Sequence, residues 1–197
     1  LGIPGNPFQA ADAIVDGRLK AIDVGYVNER VFVLMVSSGI DAYTVHHMNG
    51  AIKRTLGKLG YVLSGIYSLF SYRSRRVRIT LESQGVKDSG YFVIVANSRY
   101  YGGKISLDPD AVLDDGLFNV VLFKRPSILQ ILRLFFGVLT GTHKAMPDVV
   151  VYRDRTVTLS SRRSIFMQSD GDKLPFRTAS IRMRERFLPV MIPNRGV

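Results

Sequence analysis

Apolar and polar positions divide the chain into short strand-like runs and a few helical ones, and the longest coherent block is Tyr91 to Phe123. Tyr91 to Ala96 is an unbroken apolar, β-branched run, the pattern of a strand buried on both faces. Asn97 interrupts it, and Gly102-Gly103 lets the backbone approach a neighbour closely. Pro109 keeps the following segment out of a sheet. Asp114-Asp115-Gly116 is a turn signal, and Leu117 to Phe123 resumes as a strand. Two core strands thus bracket a loop of roughly twenty residues, a length that points to function or to an overlooked element.

Elsewhere, Asn6-Pro7 predicts an N-cap and first turn, with a helix to about Asp16 and Gly17 as its stop. Leu19–Val27 and Arg30–Ser37 predict a hairpin around Asn28-Glu29, its second strand inside a sheet. Ser38 to Ala42 leaves that strand for a helix. Apolar residues at positions 56, 59, 63, 66 and 70 predict a helix over 55–72. After Arg73, Arg75 and Arg76, the alternation of Val77, Ile79 and Leu81 with Arg78, Thr80 and Glu82 predicts a half-buried strand. Ser127 to Thr140 predicts a helix that is apolar nearly all round. From Asp148 onward only strands are signalled, about every 8–12 residues: VVVY, TVTLS, SIFMQS, KLPFR, ASIRMRE and LPVMI. The predicted class is mainly β with α (α+β): one domain, an antiparallel β-sandwich with two or three helices.

Composition adds limits. With 46% hydrophobic residues the chain can build a core. The absence of Cys excludes disulfides and thiolate metal sites, and three His, two of them adjacent, argue against zinc. The 27 basic against 16 acidic residues give a net charge of +11, which suits a nucleotide, an anionic lipid surface or a nucleic acid. Nucleic acid is disfavoured because the aromatics lie in apolar runs, not interleaved with Lys and Arg on a stacking surface. The longest apolar run, Ile128 to Leu139, contains Gln130 and Arg133 and is too short to cross a bilayer.

Several groups could carry chemistry, each with a plainer alternative. In the turn after Val112, the carboxylate of Asp115 and carbonyls of Val112 and Leu117 could meet a hard cation, or Asp115 could cap turn amides. Asp170-Gly171-Asp172 could supply a base and a metal or nucleotide contact, or simply be a hairpin connector. Asn97 to Gly103 could hold an anion on backbone amides, or be a close-packed crossing. The Arg73–Arg78 run could meet phosphates, or guard a strand edge. Asp41 could touch a substrate head group, or complement a helix N-terminus.

Taken together, LGIPGNPFQAADAI, IDVGYVNERVFVLMVSSGIDA, LGKLGY, VIVANSRYYGG, PDAVLDDGLFNVVLF, GTHK, DGDKLPF and LPVMIP resemble the C-terminal domain of the diacylglycerol kinase-like lipid kinases, in family order across nearly the whole chain. This family includes bacterial diacylglycerol kinases, sphingosine kinases and ceramide kinases. The resemblance implies phosphoryl transfer from ATP, with Mg2+, to a lipid hydroxyl. It implies a β-sandwich that completes a cleft with an N-terminal nucleotide-binding domain. The family's Gly-Gly-Asp-Gly-Thr loop has no counterpart here, since Gly103 is followed by Lys104. The chain begins about where the family's first domain ends, so it is expected to be inactive alone. The resemblance implies a structural magnesium site at Asp115, Val112 and Leu117. It matches the family's Asp-Gly-Glu to Asp170-Gly171-Asp172, with Asp172 as proton acceptor, one methylene shorter than usual, and Asp170 as its orienting or nucleotide-facing partner. The resemblance implies Asp41 as a head-group contact, and Asn97, Gly102 and Gly103 of the anion-holding loop are the other candidate substrate contacts. Apolar surface near Leu56–Phe70 and Ile128–Leu139 would house acyl chains. The location implied is cytoplasmic, peripheral at an anionic membrane, each surface cation contributing about 1 kcal/mol; oligomeric state stays open. The rival enzyme reading is an NAD kinase-like C-terminal domain, whose soluble substrate would not need two strongly apolar helices.

Overall fold

The computed structural model of the protein describes residues 1–47, 71–102, 105–106, 111–125, 133, 137, 146–176 and 178–194. The helices expected over 55–72 and 127–140, and Gly103, fall wholly or almost wholly outside these residues. Among the described residues are helices α1 (Pro7–Val15) and α2 (Ile40–His47). The strands are β1 (Arg18–Val27), β2 (Arg30–Phe32), β3 (Met35–Ser38), β4 (Val77–Leu81), β5 (Val86–Gly90), β6 (Phe92–Ala96), β7 (Tyr100–Gly102), β8 (Ile105–Ser106), β9 (Phe118–Phe123), β10 (Val149–Asp154), β11 (Thr156–Ser160), β12 (Met167–Ser169), β13 (Asp172–Leu174) and β14 (Thr178–Ile192).

Two six-stranded sheets are formed, β2-β1-β14-β11-β4-β5 and β10-β9-β6-β3-β12-β13, and every neighbouring pair in both is antiparallel. Facing residues of the two sheets make the core: Val77, Ile79, Leu81, Val157, Leu159 and Ile181 from the first, Val93, Val95, Phe118, Val120, Leu122 and Met167 from the second. Period-two alternation puts Ile94, Val121 and Phe123 on the second sheet's other face, where they form a smaller apolar cluster with Met35 and Ala96. This is why β6 and β9 read as continuous apolar runs. Asn6 caps α1 by accepting from the Phe8 amide at 2.9 Å. A Cβ on Gly17 would lie 2.0 Å from the Ala13 carbonyl oxygen, so the chain leaves the helix by a close approach only glycine allows.

Three elements differ from the sequence pattern. The strand expected over Arg30–Ser37 is two strands in different sheets, β2 and β3. The amides of Val33, Leu34 and Met35 leave the ladder and donate to the Asp170 carboxylate at 2.7, 3.0 and 2.8 Å. ASIRMRE and LPVMI are one ribbon, β14, bulged where Ile22 pairs with Leu188 but Val24 with Arg184. Pro189 fits because β11 pairs only with the first part of β14, leaving that stretch an edge. The long loop is not structureless: β7 and β8 pair within it. The Arg73–Arg78 run leads into β4, which is one strand in from the edge.

A clasp joins the sheets at one side. Asp88 of β5 accepts from Lys124, from the Tyr152 hydroxyl at 2.6 Å and from the Ser89 amide. Burial raises its carboxyl pKa, but the hydrogen bonds from Lys124 and Tyr152 outweigh this and hold it below the ordinary 3.8. A depressed folded-state pKa contributes stability above the unfolded value, lost as pH falls through the folded one. We therefore expect Asp88→Asn to lower the melting temperature at neutral pH and to narrow that difference steadily below about pH 4. A pH-independent difference in thermal melts would contradict this.

Candidate functional site

β12 and β13 form a hairpin in which Ser169 faces Asp172, leaving Asp170-Gly171 as a two-residue loop. Asp170 has φ 47 and Gly171 φ 90, the two left-handed positions of a type I′ turn, which Asp-Gly suits. The loop is tied from two sides. The Asp170 carboxylate collects the three amides of the β2–β3 crossing, and its own amide donates to Met35 O at 3.1 Å. The Gly171 amide donates to Gln168 Oε1 at 2.9 Å. Asp172 is different: it is exposed, and among the described residues nothing engages its carboxylate. The register puts Asp172 on the face of Ser169, and Lys173 on the opposite face with Gln168.

That opposite face holds Asp41. α2 folds back over β3, and Asp41, 8% exposed, accepts from the Ser37 hydroxyl, from the Ala42 amide at 2.6 Å and from Gln168 Nε2 at 3.2 Å. Gln168 Nε2 also donates to Ser37 Oγ at 2.7 Å. Nearby, Tyr72 is pushed up to about 12, chiefly by burial; the Asp41 charge adds to the rise, while Arg75 opposes it. Asp41 thus sits inside a polar network, not at an open surface.

Across the second sheet, the ends of β6 and β12 and the starts of β3 and β9 share one rim. The Asp115 turn, Asn97 and the Asp170 loop therefore line up along it. β9 and β12 are three strand spacings apart, roughly 14 Å, so these groups share a rim without forming one ligand set. Asn97 is fully buried; its Nδ2 donates to Asp23 O and Val33 O, both at 2.9 Å, and its Oδ1 has no hydrogen-bond partner. It ties the sheets together and, as placed, offers no surface to a substrate. Gly102 ends β7, and Gly103 lies outside the described residues.

The Asp115 turn is closed by protein cations. Asp115 Oδ1 accepts from the Leu117 amide at 3.0 Å, and its Oδ2 is paired with Arg153. Asp114 pairs with Lys20 at 2.9 Å, and neighbouring Glu185 with Arg155 at 2.6 Å. Val112 lies half-exposed beside the turn. One carboxylate already neutralised by a guanidinium does not, as it stands, fit a resident magnesium ion, which prefers uncompensated oxygen ligands. Among the described residues no group of three or more His, Asp or Glu could hold a metal. We expect the melting temperature to be the same in magnesium and in chelator, and Arg153→Gln to make it magnesium-dependent; a magnesium-dependent melt of the unaltered protein would restore the metal reading.

Three residues that sequence reasoning passed over matter here. Gln168 and Ser37 link Asp41 to the hairpin. Asp23 is fully buried, with Oδ1 accepting from the Arg186 amide at 2.6 Å and Oδ2 from the Gly116 amide at 2.7 Å. It fastens the β14 bulge to the Asp115 turn. Its only sequence signal is an acid between the apolar Ile22 and Val24.

Comparison with known proteins now gives these features a family. A diacylglycerol kinase of Bacillus subtilis (strain 168) is 26% identical over 173 residues, covering 87% of this chain and 57% of the relative. A diacylglycerol kinase of Staphylococcus aureus (strain bovine RF122 / ET3-1) is 24% identical over 197 residues, covering 98% of this chain and 62% of the relative. The chain therefore spans about three-fifths of the length of these curated relatives. The crystal structure of a diacylglycerol kinase from Bacillus anthracis str. Sterne shares the fold, with a TM-score of 0.74 at 24% identity over 98% of this chain and 63% of that one. Among the described residues no helix is long and apolar enough to cross a membrane. Residues 34–192, most of the chain, match the family model described as the YegS C-terminal NAD kinase beta sandwich-like domain, and the chain belongs to that family, the C-terminal domain of the diacylglycerol kinase-like lipid kinases.

Proposed function

We propose that the protein carrying this chain transfers the γ-phosphoryl group of ATP to the hydroxyl of a lipid such as diacylglycerol, with Asp172 as proton acceptor. The observation that supports this most is the split between the two hairpin acids. Asp170 spends its carboxylate on the fold, while Asp172 stands exposed and unengaged beside it, on a turn fixed from both sides. A base at that place takes the hydroxyl proton as the lipid oxygen bonds to the γ-phosphorus and the bond to the ADP oxygen breaks. Mg2+ arrives with ATP as its counter-ion and neutralises phosphate charge. The chain spans about three-fifths of its curated relatives' length, and the 197 residues alone are expected to show no turnover. The charge of +11 supports work at an anionic membrane surface.

The test offers radiolabelled ATP with dioctanoylglycerol in mixed micelles, or with NAD, to the full-length natural protein. Labelled lipid and unlabelled NAD support the proposal. Labelled NAD with untouched lipid would replace it by the second reading, dinucleotide phosphorylation, which the family model's description favours.

A further inference from the structure

We propose that Ser37, Asp41 and Gln168 form a positioning network for the Asp172 hairpin, and that its hydrogen bonds, not contact with substrate, are what Asp41 contributes. The inference rests on the kinase reading for its rate effects but not for its structural ones. Gln168 is the joint. Its Nε2 donates to Ser37 Oγ and Asp41 Oδ2, and its Oε1 accepts from the Gly171 amide. A side-chain amide has one donor end and one acceptor end, so fixing Nε2 fixes which way Oε1 points. Asp41 accepts only, Ser37 Oγ receives from Gln168 and donates to Asp41, and no member is left with like facing like. Gln168 is 2% exposed and Ser37 fully buried, so water does not compete. The network lies on the opposite face of the sheet from Asp172, which is why it sets the turn without touching what Asp172 touches.

The polarity of the network gives a swap test in the full-length protein. Q168E keeps an acceptor for the Gly171 amide but sets a second carboxylate against Asp41, and two adjoining carboxylates share a proton. D41N alone sets two amide donors against each other. D41N/Q168E restores a complementary set: the new amide at position 41 donates to the new carboxylate at position 168, and the Ser37 hydroxyl turns to donate to that carboxylate as well. The charged and titratable groups near this cluster include the Tyr72 phenol, held protonated, Arg75, His46 of α2 against Met167 O, and Lys173, which stands opposite Gln168 on the same face. We expect each single variant to speed exchange of the Gly171 amide and to lower kcat, with KM little changed, by about tenfold, a usual coupling between hydrogen-bonded neighbours. The double variant is expected to recover both to within about threefold. Q168E is further expected to regain activity as pH falls, because the shared proton re-forms the network, and the double variant to lose that limb.

Singles and double alike at wild-type exchange and rate would overturn the network, as would a double variant no better than Q168E. A raised KM for lipid in D41N at unchanged Gly171 exchange would return Asp41 to the substrate. Should Q168E not fold, Ser37→Ala, which removes one hydroxyl, carries the same expectation for Gly171. If wild-type protein phosphorylates neither lipid nor NAD, amide exchange still decides the network while the kinase reading fails separately.

Discussion

On the proposed kinase reading, Asp172→Asn is expected to lower kcat for lipid phosphorylation by about 10²–10⁴, the usual contribution of a positioned general base. KM for ATP and for lipid moves little, because the change removes proton acceptance and leaves the shape of the side chain. Stability also moves little, within about 0.5 kcal/mol, since Asp172 is exposed and has no partner among the described residues whose loss would be felt. Asp172→Glu keeps a carboxylate at that place and is expected to keep turnover. Asp170→Asn gives the contrasting result: it weakens a three-amide anchor at the sheet crossing, so it lowers the melting temperature and affects turnover through the turn. The measurement is steady-state kinetics beside thermal melts for the three variants. An Asp172→Asn enzyme within a few-fold of wild-type kcat would remove Asp172 from the chemistry.

The largest stability effect is expected at Asp23. Asp23→Ala strips acceptors from the amides of Gly116 and Arg186 at a site with no solvent exposure. A buried unsatisfied amide costs about 1–3 kcal/mol, which applies in full to Gly116 and less to the part-buried Arg186 amide, so the expected loss is about 2–4 kcal/mol. For a chain of this size that corresponds to a melting temperature lower by roughly 5–15 °C. Asp23→Asn keeps one acceptor and is expected to lose about half as much. Chemical denaturation that places Asp23→Ala within about 0.5 kcal/mol of wild type, the range of an ordinary surface change, would show that the bulge and the turn are not fastened by this carboxylate.

Much of the architecture is legible in the residue order. The α1 cap, the Asn28 hairpin, the alternation of β4 and the doubly apolar runs of β6 and β9 follow from local chemistry and period, and the structure has them. The split of the strand after Arg30 is not legible there. Its cause is Asp170, more than a hundred residues away, whose carboxylate competes with the ladder for three amides. The one-ribbon form of β14 is hidden for a similar reason. Arg186 in a left-handed conformation and Pro189 look like a strand end, yet β1 runs alongside both. At the rim, the acids are readable as turn acids but their assignments are not. Arg153 closes on Asp115 from β10, and nothing near either residue in sequence announces the pair. Asp23 alternates with Ile22 and Val24 as a solvated strand position would, and is buried because the bulge folds over it.

The order of residues alone determined a β-sandwich and where its acidic turns fall, because strand period, Asn or Asp-Gly turns and helix caps are decided within a few residues. The tertiary structure alone decided which acid is spent on holding backbone and which stands open. That outcome depends on donors brought from distant strands, and whether a carboxylate is engaged is a property of its neighbours in space.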